Sequence, residues 1–333
     1  MSVSIKDVAT KAGVSTATVS HVINQTRFVS EETKIKVRQA MKELKYRPNS
    51  VARSLRSRKS HIIGLLVPII PSDTSNFFFM SIAQGIEHVL KEHGYNLILS
   101  NSNENLQTEI EQLEVFNSQL VDGLIMAPAA DNHEQLSEVL GGEYPVVFID
   151  RKPEGFEGDY ILADGAHVTY EAVSLLLGKG HKKIGFITGK LDLTTSNERL
   201  EGYRKAYQEQ GMEIASTWIQ EGASSFECGF ELAEKLLNEE QVTALLVANN
   251  IMSMGAFACL QQMGKKVPQE VAIIGFDDYR WTEITVPPLT MIRQPSFELG
   301  QTAAKRLLER INQPDMDVTE IRLKSELIIR GSC

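Results

Sequence analysis

The sequence is poor in cysteine, in aromatic side chains and in long apolar runs. Its 3 cysteines, Cys228, Cys259 and Cys333, are odd in number and widely spaced. That excludes a disulfide framework and a Cys-x-x-Cys metal site, so free thiols in a reducing cytoplasm are expected. The 7 histidines contain no H-x-x-x-H or His/Cys cluster, and no metal site or cofactor is expected. No run approaches the roughly 20 apolar residues of a membrane span. The opening "MSVSIKDVAT" has no apolar stretch of an export signal, so no membrane partner is expected. Catalytic signatures are missing too. No G-x-G-x-x-G follows a first strand, "GFITGK" lacks the spacing of a phosphate loop, and no G-x-S-x-G elbow occurs. The carboxylates form no specific catalytic pair, so the chain is not expected to be an enzyme.

What the sequence does have is 333 residues, enough for two or three structural units, and a sharp division of charge. Residues 1–60 hold 13 Lys/Arg against 4 Asp/Glu, a balance of +9, while residues 61–333 hold 21 against 39, a balance of −18. A basic head suits the phosphate backbone of DNA, and an acidic body is repelled by it. A solvated basic face gives the same balance, so the residues of the head must decide.

"IKDVATKA" spaces Ile5, Val8, Ala9 and Ala12 at helical intervals, and "GVS" supplies a turn glycine. In "TATVSHVIN", Val19, Val22 and Ile23 share one face, while Ala17, Ser20, His21 and Asn24 share the other. The outward face carries small and hydrogen-bonding groups and no acid, as a helix entering a major groove requires. A third helix follows from Ser30, an N-cap, with Glu31 and Glu32 in its first turn and Val37, Ala40, Met41 and Leu44 as its buried stripe. Pro48 stops it. "NSVARSLRS" then reads as a helix of at most two turns with a thin apolar strip, Val51, Ala52 and Leu55. Such a length is marginal in isolation.

Residues 4–57 resemble, without interruption, the helix-turn-helix DNA-binding head of the LacI/GalR family of bacterial transcriptional repressors. Within that family, "TVSHVIN" and "TRFV" are most similar to the purine repressors. The resemblance implies that Thr16, Ala17 and His21 face base edges. It implies that Ser15, Thr18, Ser20 and Asn24 serve the DNA backbone or local capping; for Thr18 and Ser20 a hydroxyl bonding within its own helix is the plain alternative. The match to the family's "ARSL" hinge implies a segment that folds on DNA. Leu55 would wedge into the minor groove, with Arg53 and Arg56 adding groove or phosphate contacts. The expected division is therefore a head at 1–47, a hinge and linker at 48–60, and a body at 61–333.

Beyond Lys59 the pattern becomes strand-helix alternation. "IIGLLVPI", "NLILS", "DGLIMA" and "PVVFID" form one series of buried strands, and "KIGFIT", "TALLVA" and "VAIIGFD" form a second. Two α/β lobes with parallel sheets are expected. In such sheets ligands sit beyond the carboxyl ends of the strands. Polar residues gather there: Ser72 and Asp73, Asp150 and Arg151, Thr195 and Arg199, Asn249, and Asp277. Phe78 and Phe79 offer a stacking wall. Helix capping by Asp and Asn, and core packing by the phenylalanines, are the competing explanations.

The body resembles the two-lobed periplasmic-binding-protein fold that the family uses as its sensor, from residue 61 to the end. "ERLEGY" supplies Arg199, the usual ligand-holding arginine; "GFDD" supplies Asp277; "IRQPSFELG" places Gln294 near the cleft. Departures are visible. Leu193 stands where purine repressors carry an effector-binding arginine. Ser224, counted among the effector-binding residues, replaces an aromatic. Asn250 stands at a usual aspartate, and Phe77 replaces a proline. The resemblance implies an N-lobe of about 61–161 with 292–320, and a C-lobe of about 162–291 with 321–333. It also implies a homodimer on palindromic operator DNA, with the helix near Met80 and "MSMGAFACLQQMG" as candidate surfaces; ordinary buried core is the commoner use of such Met, Ala and Phe residues. The end "LIIRGSC" has no leucine heptads, favouring a dimer over a tetramer. The expected function is a sequence-specific repressor controlled by a small-molecule effector, a sugar or sugar derivative. The alternative is a global regulator of the same fold answering to a protein partner or a purine-like corepressor.

Overall fold

The computed structural model describes residues 3–24, 27–46, 59–70, 76–129, 133–140, 144–153 and 155–333. The chain divides into two compact units, Met1–Ser60 and His61–Cys333. The hinge candidates Arg53, Leu55 and Arg56, and the cleft candidates Ser72 and Asp73, lie outside the described residues.

Among its described residues the first unit holds three helices, α1 (Ile5–Ala12), α2 (Thr16–Asn24) and α3 (Glu31–Glu43). Ser4 and Asp7 close a reciprocal capping box on α1, with the Ser4 amide donating to Asp7 Oδ2 at 2.8 Å. Gly13 ends α1 at φ 66, a left-handed turn that a Cβ would penalise. The Ser15 hydroxyl accepts the Thr18 amide at 3.1 Å and starts α2. Val8, Ala9, Val19, Val22, Val37 and Ala40 form the core, the face that periodicity assigns.

The second unit contains two sheets, each six-stranded among the described residues. The first is built from β1 (Ile62–Val67), α4 (Asn76–Glu92), β2 (Asn96–Asn101), α5 (Leu106–Gln119), β3 (Gly123–Met126), α6 (His133–Leu140), β4 (Val146–Ile149) and β5 (Asp159–Ala163). The chain passes to the second sheet with α7 (Gly165–Gly178), β6 (Ile184–Thr188), α8 (Thr194–Glu209), β7 (Ile219–Glu221), α9 (Phe226–Lys235), β8 (Ala244–Val247), α10 (Asn250–Gln262), β9 (Ala272–Phe276), α11 (Arg280–Ile284) and β10 (Thr290–Arg293). It returns with α12 (Ser296–Asn312) and β11 (Glu320–Leu323), then ends in the second sheet with β12 (Glu326–Ile328). Strand orders are β11-β5-β4-β3-β1-β2 and β12-β10-β9-β8-β6-β7. The β10–β12 pair is antiparallel and the other recorded pairs are parallel.

Helices cover both faces, which is why the strands read as continuous apolar runs. Along β1, Ile63, Leu65 and Val67 pack with α4 and α12, while Leu66 packs with α5 and α6. In the second lobe, Phe186 lies with Tyr203 and Tyr207 of α8, and Ile187 lies with Met252 and Phe257 of α10. Helices α4 and α12 touch at Gly85 and Gly300, where a Cβ on either would strike the facing carbonyl, Phe297 O or Ile82 O.

The lobes are joined by three crossings, each two or three residues later than the sequence suggests. Strand β5 keeps residues 162 and 163 in the first sheet, β10 keeps 292 and 293 in the second, and β11 keeps 321–323 in the first. Hydrophobic patterning cannot place these limits, because a strand is equally apolar in either sheet. In "MSMGAFACLQQMG" one face is core, while Met254 and Ala258 are half-buried and Gln261 and Gln262 exposed. Met252, Ala256, Phe257, Cys259 and Leu260 are buried within the lobe, against α9 and the sheet.

Candidate functional site

A cleft lies between the two lobes, and the segments that line it follow strands or open helices. From the first lobe come Phe78 and Phe79 at the start of α4, Glu104 beyond β2, and Asp150 and Arg151 beyond β4. From the second come Thr195, Ser196 and Arg199 on α8, Ser224 beyond β7, Asn249 beyond β8 and Asp277 beyond β9. Gln294 enters on the crossing to α12. Thus Phe78, Phe79, Asp150, Arg151, Thr195, Arg199, Ser224, Asn249, Asp277 and Gln294 are brought together. Phe78 and Phe79 are also part of the core, so the two explanations weighed for them coexist.

The C-lobe wall is organised around Arg199. Its Nη1 donates to Ala248 O at 2.6 Å and its Nη2 to Gln294 Oε1 at 3.4 Å. Its guanidinium sits 4.3 Å from the Phe276 ring centroid, a cation–π geometry. Gln294 Nε2 donates to Asp277 Oδ1 at 2.7 Å. Asn250, the departure from aspartate, donates its Nδ2 to Asp277 O at 3.0 Å, a donation a carboxylate could not make. Burial pulls the Arg199 guanidinium below its ordinary value, opposed by Asp277 and Asp150. Asn249 Oδ1 accepts the Met252 amide at 3.2 Å, so Asn249 caps α10 while it lines the cleft.

The N-lobe wall is organised around Arg151. Its Nη2 donates to Glu104 Oε1 at 2.7 Å, its Nη1 to Pro128 O at 3.1 Å, and its Nε lies 3.7 Å from Asp150 Oδ2. Burial pushes the Asp150 carboxyl up, opposed by Arg151 and Arg199. Asp150 and Asp277 occupy corresponding places after β4 and β9 and share a left-handed backbone, φ 63 and 64. Strain of this kind concentrates at functional sites. The Nε atoms of Arg151 and Arg199 and the Thr188 hydroxyl are buried without a hydrogen-bond partner among the described residues. Buried donors of this kind normally have one.

Sequence reasoning missed Glu104 and Ser196. Glu104 follows the same rule as the others, standing beyond β2 in the polar stretch "SNSNEN". The space enclosed between the walls is about 80 Å3. An adjoining cavity of about 480 Å3 shares Phe78, Asp277 and Gln294 with it. A drug-sized ligand pocket is larger than the first, roughly 300 Å3 or more, and the adjoining cavity reaches that size.

In the head, Thr16 and Ala17 are exposed at the start of α2, and Ser20 and His21 are half-buried along it. The Ser15 and Thr18 hydroxyls lie 2.9 Å apart. Asn24 is the last residue of α2.

A helix-turn-helix head joined to a two-lobed α/β body with a polar cleft defines a ligand-sensing DNA-binding regulator. Residues 4–49 match the model of bacterial regulatory proteins of the lacI family, and residues 60–330 match that of periplasmic binding proteins and the sugar binding domain of the LacI family. The ribose operon repressor of Escherichia coli is 38% identical over 333 aligned residues, covering 98% of this chain and 99% of its own. The transcriptional repressor PurR of Vibrio vulnificus is 36% identical, covering 98% of each. The lac repressor dimer bound to operator and the anti-inducer ONPF superposes with a TM-score of 0.87 at 29% identity, over 100% of this chain and 99% of that one. The chain belongs to the LacI family. It is a DNA-binding transcriptional regulator with a ligand-binding sensor domain, and its relatives are repressors, not enzymes. No described helix is long and apolar enough to cross a membrane.

Proposed function

We propose that this regulator represses transcription as a homodimer on a palindromic operator and is controlled by a carbohydrate held between its lobes. The carrying observation is the Arg199–Gln294–Asp277 network facing Arg151 and Glu104 beside Phe78 and Phe79. Alternating donors and acceptors next to an aromatic wall suit the hydroxyls and the apolar face of a sugar ring. Base reading belongs to Thr16, Ala17 and His21, and backbone contact to Ser15, Thr18, Ser20 and Asn24. Two copies place two heads on two half-sites. The exposed Ile284 and Val286, 82% and 85% accessible, favour a partner surface on the C-lobe, and Phe77 and Met80 favour one on the N-lobe. Ser72 and Asp73 belong to the same cleft reading, and Arg53, Leu55 and Arg56 to the minor-groove hinge.

The test is calorimetric titration with a panel of free pentoses and hexoses. One or more should bind, and Arg199→Ala or Asp277→Ala should abolish that binding while folding is retained. Unchanged binding in both variants rejects the cleft. A purine-like corepressor is the second reading, favoured by the similarity to PurR. Leu193, which lines the cleft with no hydrogen-bonding group, and Ser224, which cannot stack, weigh against it.

A further inference from the structure

Among the described residues the cleft lining has two guanidinium groups: a carboxylate pairs with one, and carboxylates lie in the field of the other. Arg151 faces Glu104 at 2.7 Å and Asp150 at 3.7 Å. Arg199 lies in the field of Asp277 and Asp150. Among the described residues, three lining carboxylates face two lining cations. Glu198 adds further negative charge behind them.

Glu104 reaches Arg151 by an unusual backbone. Asn103 and Glu104 are consecutive non-glycine residues with left-handed φ of 53 each. Asn101 clamps the turn: its Oδ1 accepts the amides of Ile69 and Asn103, both at 2.8 Å. Its Nδ2 donates to Ile69 O at 2.8 Å and to Asn103 Oδ1 at 2.7 Å. Two adjacent left-handed residues are costly for L-amino acids and persist where the surroundings over-determine them. The clamp aims a carboxylate at Arg151, the N-lobe cation among the described lining residues.

We propose that Glu104 sets the charge class of the effector: by cancelling Arg151 it makes the cleft a receptor for an uncharged polyol and rejects phosphate esters. This rests on the carbohydrate reading, which it narrows. A phosphate entering beside Arg151 meets a guanidinium whose Nη2 and Nη1 are engaged and whose neighbours are anions. Hydroxyl groups need no net charge from the protein and can exchange with the hydrogen bonds already present.

Inorganic phosphate is the probe, because it tests the charge class without knowledge of the effector. Both tryptophans, Trp218 and Trp281, lie in the body, so tryptophan-detected melting does not report on the basic head. Phosphate should leave the wild-type melting temperature equal to that in chloride of matched ionic strength. Glu104→Gln should gain a phosphate-dependent rise of about 2–4 °C, as a tenfold gain in occupancy-driven stabilisation produces. Glu104→Asp keeps the charge and should gain none. Adding Arg151→Gln to Glu104→Gln should erase the gain. Phosphate stabilisation of the wild type, or no gain in Glu104→Gln, overturns the proposal. If Glu104→Gln does not fold, titrating the wild type with glucose 6-phosphate and ribose 5-phosphate decides, because binding of either overturns it and binding of neither supports it. Absence of binding by every free sugar would instead defeat the carbohydrate reading and leave the phosphate response of the variants to judge Glu104.

Discussion

The guanidinium of Arg322 on β11 donates to Glu198 on α8 at 2.8 Å, linking the sheet of one lobe to the helix of the other that carries Arg199. Arg322 also donates to Glu320 at 2.7 Å, and Glu320 accepts from Lys152 at 2.6 Å, so the link is the end of a three-pair chain. The pair is partly exposed, which limits its strength to about 1 kcal/mol or less. A double-mutant cycle of Arg322→Gln and Glu198→Gln in urea should give a coupling of roughly 0.5–1 kcal/mol. Zero coupling would remove the pair as an interlobe link.

Glu109 is fully buried on α5, with Oε2 accepting the Ala129 amide at 2.7 Å and Oε1 without a partner. Burial pushes its carboxyl up from 4.5 to about 7, against the pull of the Ala129 amide and Arg151. The folded state therefore holds this proton more tightly than the unfolded chain does. Stability from this group is complete below pH 4.5 and is lost as pH rises through about 7. Relative to Glu109→Gln, the wild type should lose up to ~3 kcal/mol over that window, as the shift converts. Urea midpoints at several pH values measure it, and parallel curves for the two proteins would refute the assignment.

Gly300→Ala puts a methyl group into the Ile82 carbonyl, and only separation of α4 and α12 can make room. Over-packing of this sort costs about 1–3 kcal/mol. The urea midpoint should fall by that amount, and an unchanged midpoint would mean that the helix pair yields freely.

His21→Ala should alter operator choice, not merely affinity. Loss of a base contact costs about 1–3 kcal/mol at one position of the site and leaves other positions unaffected. Binding to a set of single-base operator variants separates the outcomes. Equal weakening on all sequences would assign His21 to the DNA backbone.

The cleft was legible because one rule covers it: polar residues after buried strands converge when two parallel sheets face each other. That rule reaches Asp150, Arg199 and Asp277 without any knowledge of contacts. It also covers Glu104, beyond β2, but not its turn onto Arg151, which depends on the Asn101 clamp and two left-handed residues that leave no periodic trace. It leaves the place of Met252 and Phe257 open, because an apolar stripe reads the same against a partner chain as against α9. The lobe crossings slipped by two or three residues because strand pairing, not composition, decides where a sheet ends.

The order of the strands has a consequence for synthesis. The N-lobe begins at residue 62, yet α12 and β11, which complete its core and its sheet edge, come only at residues 296–323. The C-lobe in turn waits for β12. At ribosomal rates of about 5–20 residues per second, a finished DNA-binding head precedes its finished sensor by on the order of tens of seconds. During that interval the nascent chain carries a reader without its control. Neither sheet is complete until β11 and β12, residues 320–328, have emerged.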